Sequence, residues 1–340
     1  MNNKLFQKTI NWVFTFVLTL GLFLPASSTL ALPQKAAPAA QPALAITPVN
    51  PDDTRYADGS QWNLNGAWGI NAPMAWGITS GSATTIVAVL DTGYTDHLDL
   101  DPARILPGYD FVSDVTNNDT DGRDGEPHDP GDFGTCGDSS WQGTRTAGII
   151  AAASGNALGV AGIDWNARIL PVRVLGTCGS TPAAADIVDG MRWAAGLAVG
   201  GVTTNPNPAK VIHVSASLPG VACTTAYQAD VDAVINDQGA VIIAPAGDQG
   251  GLTNNFPSNC AGVITVAATD LFGKRASYSN YSGTLSVVEI SAPGGGNGQL
   301  NVLSTANSGA NSADPPLAGS IYTTMQGTSM AAAHVSGVVS

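Results

Sequence analysis

The stretch TTIVAVL, residues 84–90, is followed directly by Asp91. It is short and consists mainly of β-branched and aliphatic residues, which is typical of a strand that is buried on both faces. Four other stretches have the same character and predict further strands: ARILPVRVL (167–175), AKVIHVSAS (209–217), AVIIAPA (240–246) and GVITVAAT (262–269).

Helix-forming segments separate these predicted strands. One begins with Thr181 and Pro182, residue types that open helices, and its apolar positions then recur at helical spacing: Ile187, Met191, Ala194 and Leu197. Another, residues 225–239, ends at Gly239, a residue type that ends helices. Strands that alternate with helices predict a three-layer, doubly wound α/β domain with a mostly parallel sheet.

The composition suits one large globular domain and excludes some partners. Of 340 residues, 44% are hydrophobic and 11% are charged, a balance that provides for a large core. The net charge of −13 argues against binding to nucleic acid or to anionic membranes. We expect a monomer.

The N-terminus has the pattern of a secretory signal. Lys4 and Lys8 precede an apolar run from Trp12 to Leu24, and small residues continue to Ala31. Because this run is shorter than the about 20 residues that cross a bilayer, we predict a cleaved signal peptide over residues 1–31 rather than a stable membrane anchor. Residues 32–60, rich in Ala, Pro and Asp, are predicted to be a linker to a domain over residues 61–340.

The four cysteines are expected to form disulfides if the chain is exported. An even number in a secreted chain favours two disulfides, although four cysteines allow three pairings. Zinc binding is disfavoured because no CxxC pair is present. The four are Cys136, Cys178, Cys223 and Cys260.

Two polar residues stand where an α/β sheet places its chemistry. Ligands of such sheets bind beyond the carboxyl ends of the strands, and Asp91 follows the first predicted strand. Ser329 lies in MQGTSMAAAHVSGVV (325–339), where it opens a helix of small residues and is placed to act as a nucleophile. Taken singly, each has a simpler interpretation, a turn-capping Asp and a helix-capping Ser.

Several motifs together resemble those of the subtilisin-like serine proteases. They are IVAVLDTG (86–93), the W-x-G-T-x-x-A-G pattern that begins at Trp141, SAPGG (291–295) and GTSMA (327–331). The resemblance extends from about residue 61 to residue 340, and its finer details are similar to the secreted bacterial members. It implies that Asp91 orients a catalytic base, that Ser329 is the nucleophile, and that the substrate is a peptide or protein. It also implies the disulfides Cys136–Cys178 and Cys223–Cys260.

The sequence departs from that family at the positions where its chemistry lies. The family's helix motif is H-G-T-H, and Gln142 and Arg145 occupy the two histidine positions here. Asp248 replaces the asparagine that donates to the oxyanion, and Ala333 replaces a proline. In the substrate-binding strand, SASLPG replaces S-x-G-G and leaves three candidate contacts: Ser215, Ser217 and Gly220.

These departures predict a loss of activity. A glutamine amide does not titrate near neutral pH, so Gln142 cannot take the proton of Ser329. Arg145 cannot replace a base because its guanidinium stays protonated. An ionised Asp248 would repel a developing oxyanion. We therefore predict a subtilisin-like endopeptidase homologue that is inactive or severely impaired.

Three other interpretations are considered. In the first, the chain is an active serine endopeptidase with an unrecognised base, although each of its histidines has a simpler structural explanation: His97, His128, His213 and His334. In the second, it is a peptide-binding module without catalysis. In the third, Asp91-Thr92-Gly93 is the signature of an aspartic protease. That class needs a second D-T/S-G motif or a small dimeric subunit, and the sequence has neither.

The resemblance also suggests that the domain is incomplete. Relatives carry a folded prodomain that residues 32–60 are too short to form, and they continue with more helix beyond Ser340. We therefore expect a C-terminally truncated peptidase domain without a full prodomain.

An acidic loop, residues 110–134, is the candidate metal site. Carboxylates at short spacings around Gly122 are suitable ligands for calcium, which is available outside the cell. A solvated loop without metal is the alternative. The candidate ligands are Asp119, Asp121, Asp124 and Asp129.

Overall fold

The computed structural model describes residues 46–119, 121–177, 182–282 and 288–340. The predicted signal peptide, residues 1–31, and residues 32–45 of the predicted linker lie outside the described residues. Within the described residues, every helix is too short or too polar to cross a membrane.

The helices and strands alternate along the chain as the sequence predicts. The helices are α1 (Thr54–Ala57), α2 (Trp62–Asn65), α3 (Ala72–Trp76), α4 (Gln142–Ala151), α5 (Ala184–Ala194), α6 (Thr225–Asp232), α7 (Pro316–Gly319) and α8 (Thr328–Val339). The strands are β1 (Ile86–Asp91), β2 (Tyr109–Asp110), β3 (Arg168–Arg173), β4 (Val211–Val214), β5 (Leu218–Pro219), β6 (Val241–Pro245), β7 (Asn255–Phe256), β8 (Ile264–Thr269), β9 (Ile290–Pro293), β10 (Val302–Asn307) and β11 (Ser320–Met325).

Seven strands form one sheet in the order β2-β3-β1-β4-β6-β8-β9. All of its neighbouring pairs are parallel. Two small antiparallel sheets, β10–β11 and β5–β7, lie outside it. The non-sequential strand order with helical crossovers confirms the predicted doubly wound α/β domain.

The sheet separates two hydrophobic clusters, which makes the domain three layers thick. Along β1, Val87 and Val89 contribute to the cluster that contains residues of α4 and α8. Ala88 and Leu90 contribute to the other cluster, which contains residues of α5 and α6. Because successive strand residues point to opposite faces, a strand covered on both faces must be apolar throughout, as the opening stretch is.

Part of the predicted linker packs into the domain. The Val49 amide donates to the Pro73 carbonyl oxygen at 3.0 Å, and the Arg55 amide donates to the Gly159 carbonyl oxygen at 2.7 Å. Asp53 is fully buried and accepts a hydrogen bond from the Gly155 amide at 2.8 Å. Residues 46–60 therefore belong to the compact unit that extends from Ile46 to Ser340.

One of the two disulfides that the resemblance implies lies within the described residues. Cys223 and Cys260 are bonded, with their Cα atoms 5.3 Å apart. Cys136 is also disulfide-bonded. Cys178, the partner that the resemblance implies for it, lies outside the described residues.

Candidate active site

Asp91 is the last residue of β1 and is fully buried at the carboxyl end of the sheet. Its Oδ1 accepts a hydrogen bond from the Thr92 amide at 2.8 Å, and its Oδ2 accepts one from Thr146 Oγ1 at 2.8 Å. The hydroxyl of Ser215 also donates to Oδ2. Burial raises the pKa of Asp91 to about 6, and the three donors act in the opposite direction.

Ser215 connects Asp91 to a buried histidine. His213 Nε2 lies 2.9 Å from Ser215 Oγ, and His213 Nδ1 lies 3.0 Å from Ser336 Oγ on α8. Burial lowers the pKa of His213 to about 3, so the imidazole is neutral at physiological pH. Because the Ser215 hydroxyl donates its proton to the Asp91 carboxylate, its oxygen accepts a hydrogen bond from Nε2–H of His213.

Helix α4 brings Gln142 close to the end of β1. A Cβ atom at Gly143 would overlap the carbonyl oxygen of Gly93, so only glycine permits this close approach. The Gly143 amide also donates to Thr92 Oγ1 at 3.2 Å. Gln142 is the first residue of the helix and is partly exposed. Its side chain lines the same cleft as Ser329.

Ser329 lies in the first turn of α8, after Gly327 and Thr328. Its hydroxyl donates to the carbonyl oxygen of Ser215 at 3.0 Å. The amide of Ser329 has no partner inside the helix because amides of a first helical turn have no preceding carbonyl to bind. Ser329 lines a cleft together with Gln142 and Ser215.

Asp248 follows β6 and caps the same helix. Its Oδ1 accepts hydrogen bonds from the Thr328 amide at 2.9 Å and from Thr328 Oγ1 at 2.7 Å. The Asp248 side chain remains accessible to solvent, but the surrounding protein partly desolvates it and so raises the pKa of its carboxyl group. The hydrogen bonds from Thr328 act in the opposite direction and lower this pKa. The carboxyl group therefore caps the helix that carries Ser329.

One cleft, with a volume of about 310 Å³, gathers most of the candidate catalytic and substrate-binding residues. Its lining includes Gln142, Ser215, Ser217, Asp248 and Ser329. Asp91 lies behind this lining and reaches it through Ser215.

The candidate substrate-binding residues separate into two groups. Ser215 and Ser217 line the cleft, and Ser217 Oγ accepts a hydrogen bond from Asn255 Nδ2 at 2.7 Å. Gly220 does not line the cleft. It lies in a turn with a φ of 74° after β5, and β5 pairs with β7. The short β5–β7 pair therefore occupies the segment that the resemblance assigns to substrate pairing.

Arg145 is held away from the reacting groups. Its Nε donates to the Ser140 carbonyl oxygen at 2.7 Å. Its Nη1 is buried without a hydrogen-bond partner among the described residues. Burial lowers its pKa, and the charge of Asp132 opposes that effect. The side chain therefore binds the segment before α4 and does not line the cleft.

None of the four histidines lines this cleft. His334 is fully buried in α8, where Nδ1 lies 2.7 Å from the Met330 carbonyl oxygen and Nε2 lies 2.8 Å from Asn63 Nδ2. His97 and His128 line a different cavity. His213 is the histidine joined to the site, and it contacts Ser215 instead of Ser329.

The four acidic loop residues form different contacts, and two of them, Asp119 and Asp121, are hydrogen-bonded to each other through their side chains. Asp119 pairs with Arg173, and Asp129 is buried and accepts a hydrogen bond from Thr92 Oγ1 at 2.6 Å. Burial raises the pKa of Asp129 to about 7. Asp121 is exposed, and Asp124 Oδ1 accepts from the Glu126 amide at 2.8 Å. In the part of the chain that the structure describes, no three His, Cys, Asp or Glu residues converge as a metal site would require.

Sequence reasoning missed the residues that satisfy Asp91. Thr146 lies one turn along α4 from Gln142, and its hydroxyl points at the carboxylate. His213 precedes Ser215 by two residues on the same strand, so both side chains point to the same face. That spacing was the available signal for the contact between His213 and Ser215.

A parallel doubly wound sheet, with a buried Asp at the end of β1 and a Ser at the start of α8, defines the subtilisin-like class of α/β protein. The family described as the subtilase family matches residues 82–340. The chain belongs to that family.

Its relatives include named proteases. An extracellular protease of Xanthomonas campestris pv. campestris is 42% identical over 301 residues, which cover 86% of this chain and 49% of that protein. An extracellular basic protease of Dichelobacter nodosus is 39% identical, covering 87% of this chain and 48% of that protein. The chain thus spans about half the length of these relatives.

A solved structure has a similar fold over most of both chains. It is a protease from Pseudoalteromonas arctica PAMC 21717, which superposes with a TM-score of 0.76 at 41% identity. The match covers 85% of this chain and 86% of that one.

Proposed function

We propose that this chain is a secreted subtilisin-like endopeptidase homologue in which peptide hydrolysis is lost or severely impaired. The observation that carries the proposal is Gln142 at the start of α4, in a cleft that also contains Ser329. By resemblance to the family, this position holds the histidine that takes the proton of the nucleophile. Asp91 and Ser329 would keep the roles of orienting residue and nucleophile.

The chemistry of glutamine accounts for the impairment. Its amide donates and accepts hydrogen bonds but does not take up a proton near neutral pH. In a subtilisin, removal of the base lowers kcat about 10⁶-fold, which corresponds to about 8 kcal/mol of transition-state stabilisation. A loss of this size leaves little measurable hydrolysis, even with the nucleophile in place.

Asp248 adds a second impairment. By the same resemblance, it stands where an asparagine donates to the oxyanion of the tetrahedral intermediate. Removal of that donor costs about 10² to 10³ in kcat. A carboxylate presents an acceptor there, so it repels the developing negative charge when it is ionised.

No other imidazole takes over as the base of Ser329 among the described residues. The histidine joined to the site is His213, and its Nε2 contacts Ser215 Oγ. Burial opposes its protonation, as its lowered pKa indicates. These contacts favour the impaired protein over an active endopeptidase with an unrecognised base.

Two assays on the purified chain test the proposal. We expect no labelling of Ser329 by a fluorophosphonate probe and no hydrolysis of unfolded casein or of a peptide anilide above the level of a Ser329→Ala variant. The matched variant removes the nucleophile and leaves the cleft otherwise unchanged. Turnover that a serine-protease inhibitor blocks, and that Ser329→Ala abolishes, would overturn the proposal.

Export and calcium binding are further proposals with their own tests. Because the relatives above are named extracellular proteases, we propose secretion, with processing near Ala31. N-terminal sequencing of protein recovered from the medium would test it. Calcium binding by the acidic loop stays a prediction that rests on the spacing of its carboxylates. Calorimetric titration with calcium would test it.

A further inference from the structure

A second cavity, larger than the cleft, lies beside the acidic loop. Its volume is about 650 Å³, which is within the range of sites that bind small molecules or side chains. It is bounded by the segment after β1 and by loop residues 125–128. We call it the His128 cavity, after the side chain that stacks on Tyr94 at its wall, with ring centroids 4.4 Å apart.

Most of the wall is apolar, and the mouth continues onto exposed aliphatic surface. Leu100, Ile105, Leu106 and Pro107 line the interior. At the mouth, the exposed fraction of Leu98 is 53%. Leu317, next to the lining residue Pro316, is 87% exposed. Exposed side chains of this kind around a cavity indicate a docking surface.

The charged groups at the cavity are acidic. The side chains of Asp96 and Glu126 are 63% and 65% exposed. Among the described residues that line the cavity, none is lysine or arginine. His97 adds no positive charge, because Nδ1 accepts from the Asp99 amide, Nε2 donates to the Ile321 carbonyl oxygen, and burial lowers its pKa.

His128 is the basic side chain that contacts Asp96 and Glu126 at the cavity. It contacts Glu126, and its Nε2 lies 3.8 Å from Asp96. An arginine guanidinium offers five N–H donors to this pair of carboxylates, whereas the imidazole offers at most two.

We propose that the His128 cavity binds a peptide segment that carries an arginine beside aliphatic side chains. The guanidinium lies between Asp96 and Glu126, which match its charge. The aliphatic side chains contact the apolar wall and Leu98. Binding here uses no group of the cleft, so it does not depend on the proposed loss of hydrolysis.

The test measures peptide binding by isothermal titration calorimetry on the full chain. The probe is acetyl-Leu-Arg-Leu-amide, compared with the same peptide in which citrulline replaces arginine, since citrulline keeps the shape and loses the charge. We expect the arginine peptide to bind more tightly. The double variant Asp96→Asn/Glu126→Gln should weaken its binding about tenfold, as expected for two partly exposed ion pairs.

Matched variants separate this site from general attraction to an acidic protein. Asp237→Asn removes an exposed carboxylate that does not line the cavity and should leave binding unchanged. Asp248→Asn alters the cleft and should also leave it unchanged. Equal binding of the citrulline peptide, no effect of the double variant, or loss of binding in Asp248→Asn would each overturn the proposal. Circular dichroism of every variant verifies its folding.

Discussion

Asp91 is a carboxyl group that folding removes from water entirely. Its pKa of about 6, above the ordinary 3.8, means that the folded chain binds more protons than the unfolded chain between these two values. Stability therefore falls as pH rises through that window and stays lower above it.

Replacement of Asp91 should therefore stabilise the protein at neutral pH. One unit of pKa corresponds to about 1.4 kcal/mol, so relief of the charge in Asp91→Asn should raise the free energy of unfolding by about 1 to 3 kcal/mol. At about pH 4, where the native carboxyl is protonated, the difference should nearly vanish. Urea unfolding at the two pH values would measure it.

Asp237→Asn, an exposed replacement, serves as the control and should change stability little at either pH. A lower stability of Asp91→Asn at neutral pH would contradict the prediction. It would mean that Thr92, Thr146 and Ser215 bind the carboxylate strongly enough to offset its burial.

The reversion Gln142→His should restore little hydrolysis by itself. Ser215 and Thr146 already bind Oδ2 of Asp91, so a new imidazole must compete with two hydroxyls for its orienting partner. Asp248 also remains at the start of the helix that carries Ser329. Casein hydrolysis and kcat/KM on a peptide anilide would measure the recovery.

Asp248→Asn, added to Gln142→His, should raise kcat by up to about 10² to 10³ over the single reversion, because a donor replaces an acceptor at the oxyanion position. Ser329→Ala in the double variant serves as the control and should abolish the gain. Full activity from Gln142→His alone would show that Asp248 does not impede catalysis.

The start of α8 depends on a side chain from another element. Asp248 accepts from the Thr328 amide and hydroxyl, so it satisfies an amide that the helix itself leaves free. Asp248→Ala should cost about 1 kcal/mol, whereas Asp248→Asn keeps an acceptor oxygen and should cost less. For a domain of this size we expect a fall in Tm of about 2 to 4 °C in the alanine variant.

Thermal unfolding of both variants at neutral pH would measure the difference. Equal destabilisation by Asn and Ala would contradict the capping role of the oxygen. It would indicate that the negative charge at the positive end of the helix dipole provides the stabilisation instead.

The five predicted strands were predictable as elements because each lies in a short run of mainly apolar residues. All five predicted stretches contain a strand of the parallel sheet, with ends that agree to within three residues. Helix ends were less predictable. Residue 181 lies outside the described residues, and α5 begins at Ala184, after an N-cap at Ala183 instead of Thr181.

The other end of α5 shows why periodicity alone is insufficient. The helical spacing predicts that Leu197 lies on the apolar face of the helix, but the helix ends at Ala194. Gly196 has a φ of 90°, its amide donates to the Trp193 carbonyl oxygen, and the Leu197 amide donates to the Arg192 carbonyl oxygen. This is a Schellman ending, and the glycine in the sequence was its signal.

At the scale of the whole molecule, the sequence predicted which residues line the cleft, but it did not predict the hydrogen bonds between them. Gln142, Asp248 and Ser329 come together because parallel strands and the helices that flank them present their ends at one edge of the sheet. The hydrogen bond from Ser215 to Asp91 depends on side-chain rotamers across two strands. No local pattern in either strand encodes that contact.

The Cys223–Cys260 disulfide restricts the unfolded chain over a sequence separation of 37 residues. Closing a loop of this length should stabilise the fold by about 3 to 4 kcal/mol, chiefly by lowering the entropy of the unfolded state. The double variant Cys223→Ala/Cys260→Ala should therefore lose about that much free energy of unfolding. Its urea m-value should rise, because a less restricted unfolded chain exposes more surface.

The measurement is urea unfolding of the variant and the parent chain without reductant. Alanine is the replacement because Cys260 is buried and a serine hydroxyl there would need a partner. The Asp237→Asn variant again provides an exposed control. An unchanged free energy of unfolding would show that the unfolded chain keeps these two segments close even without the bond.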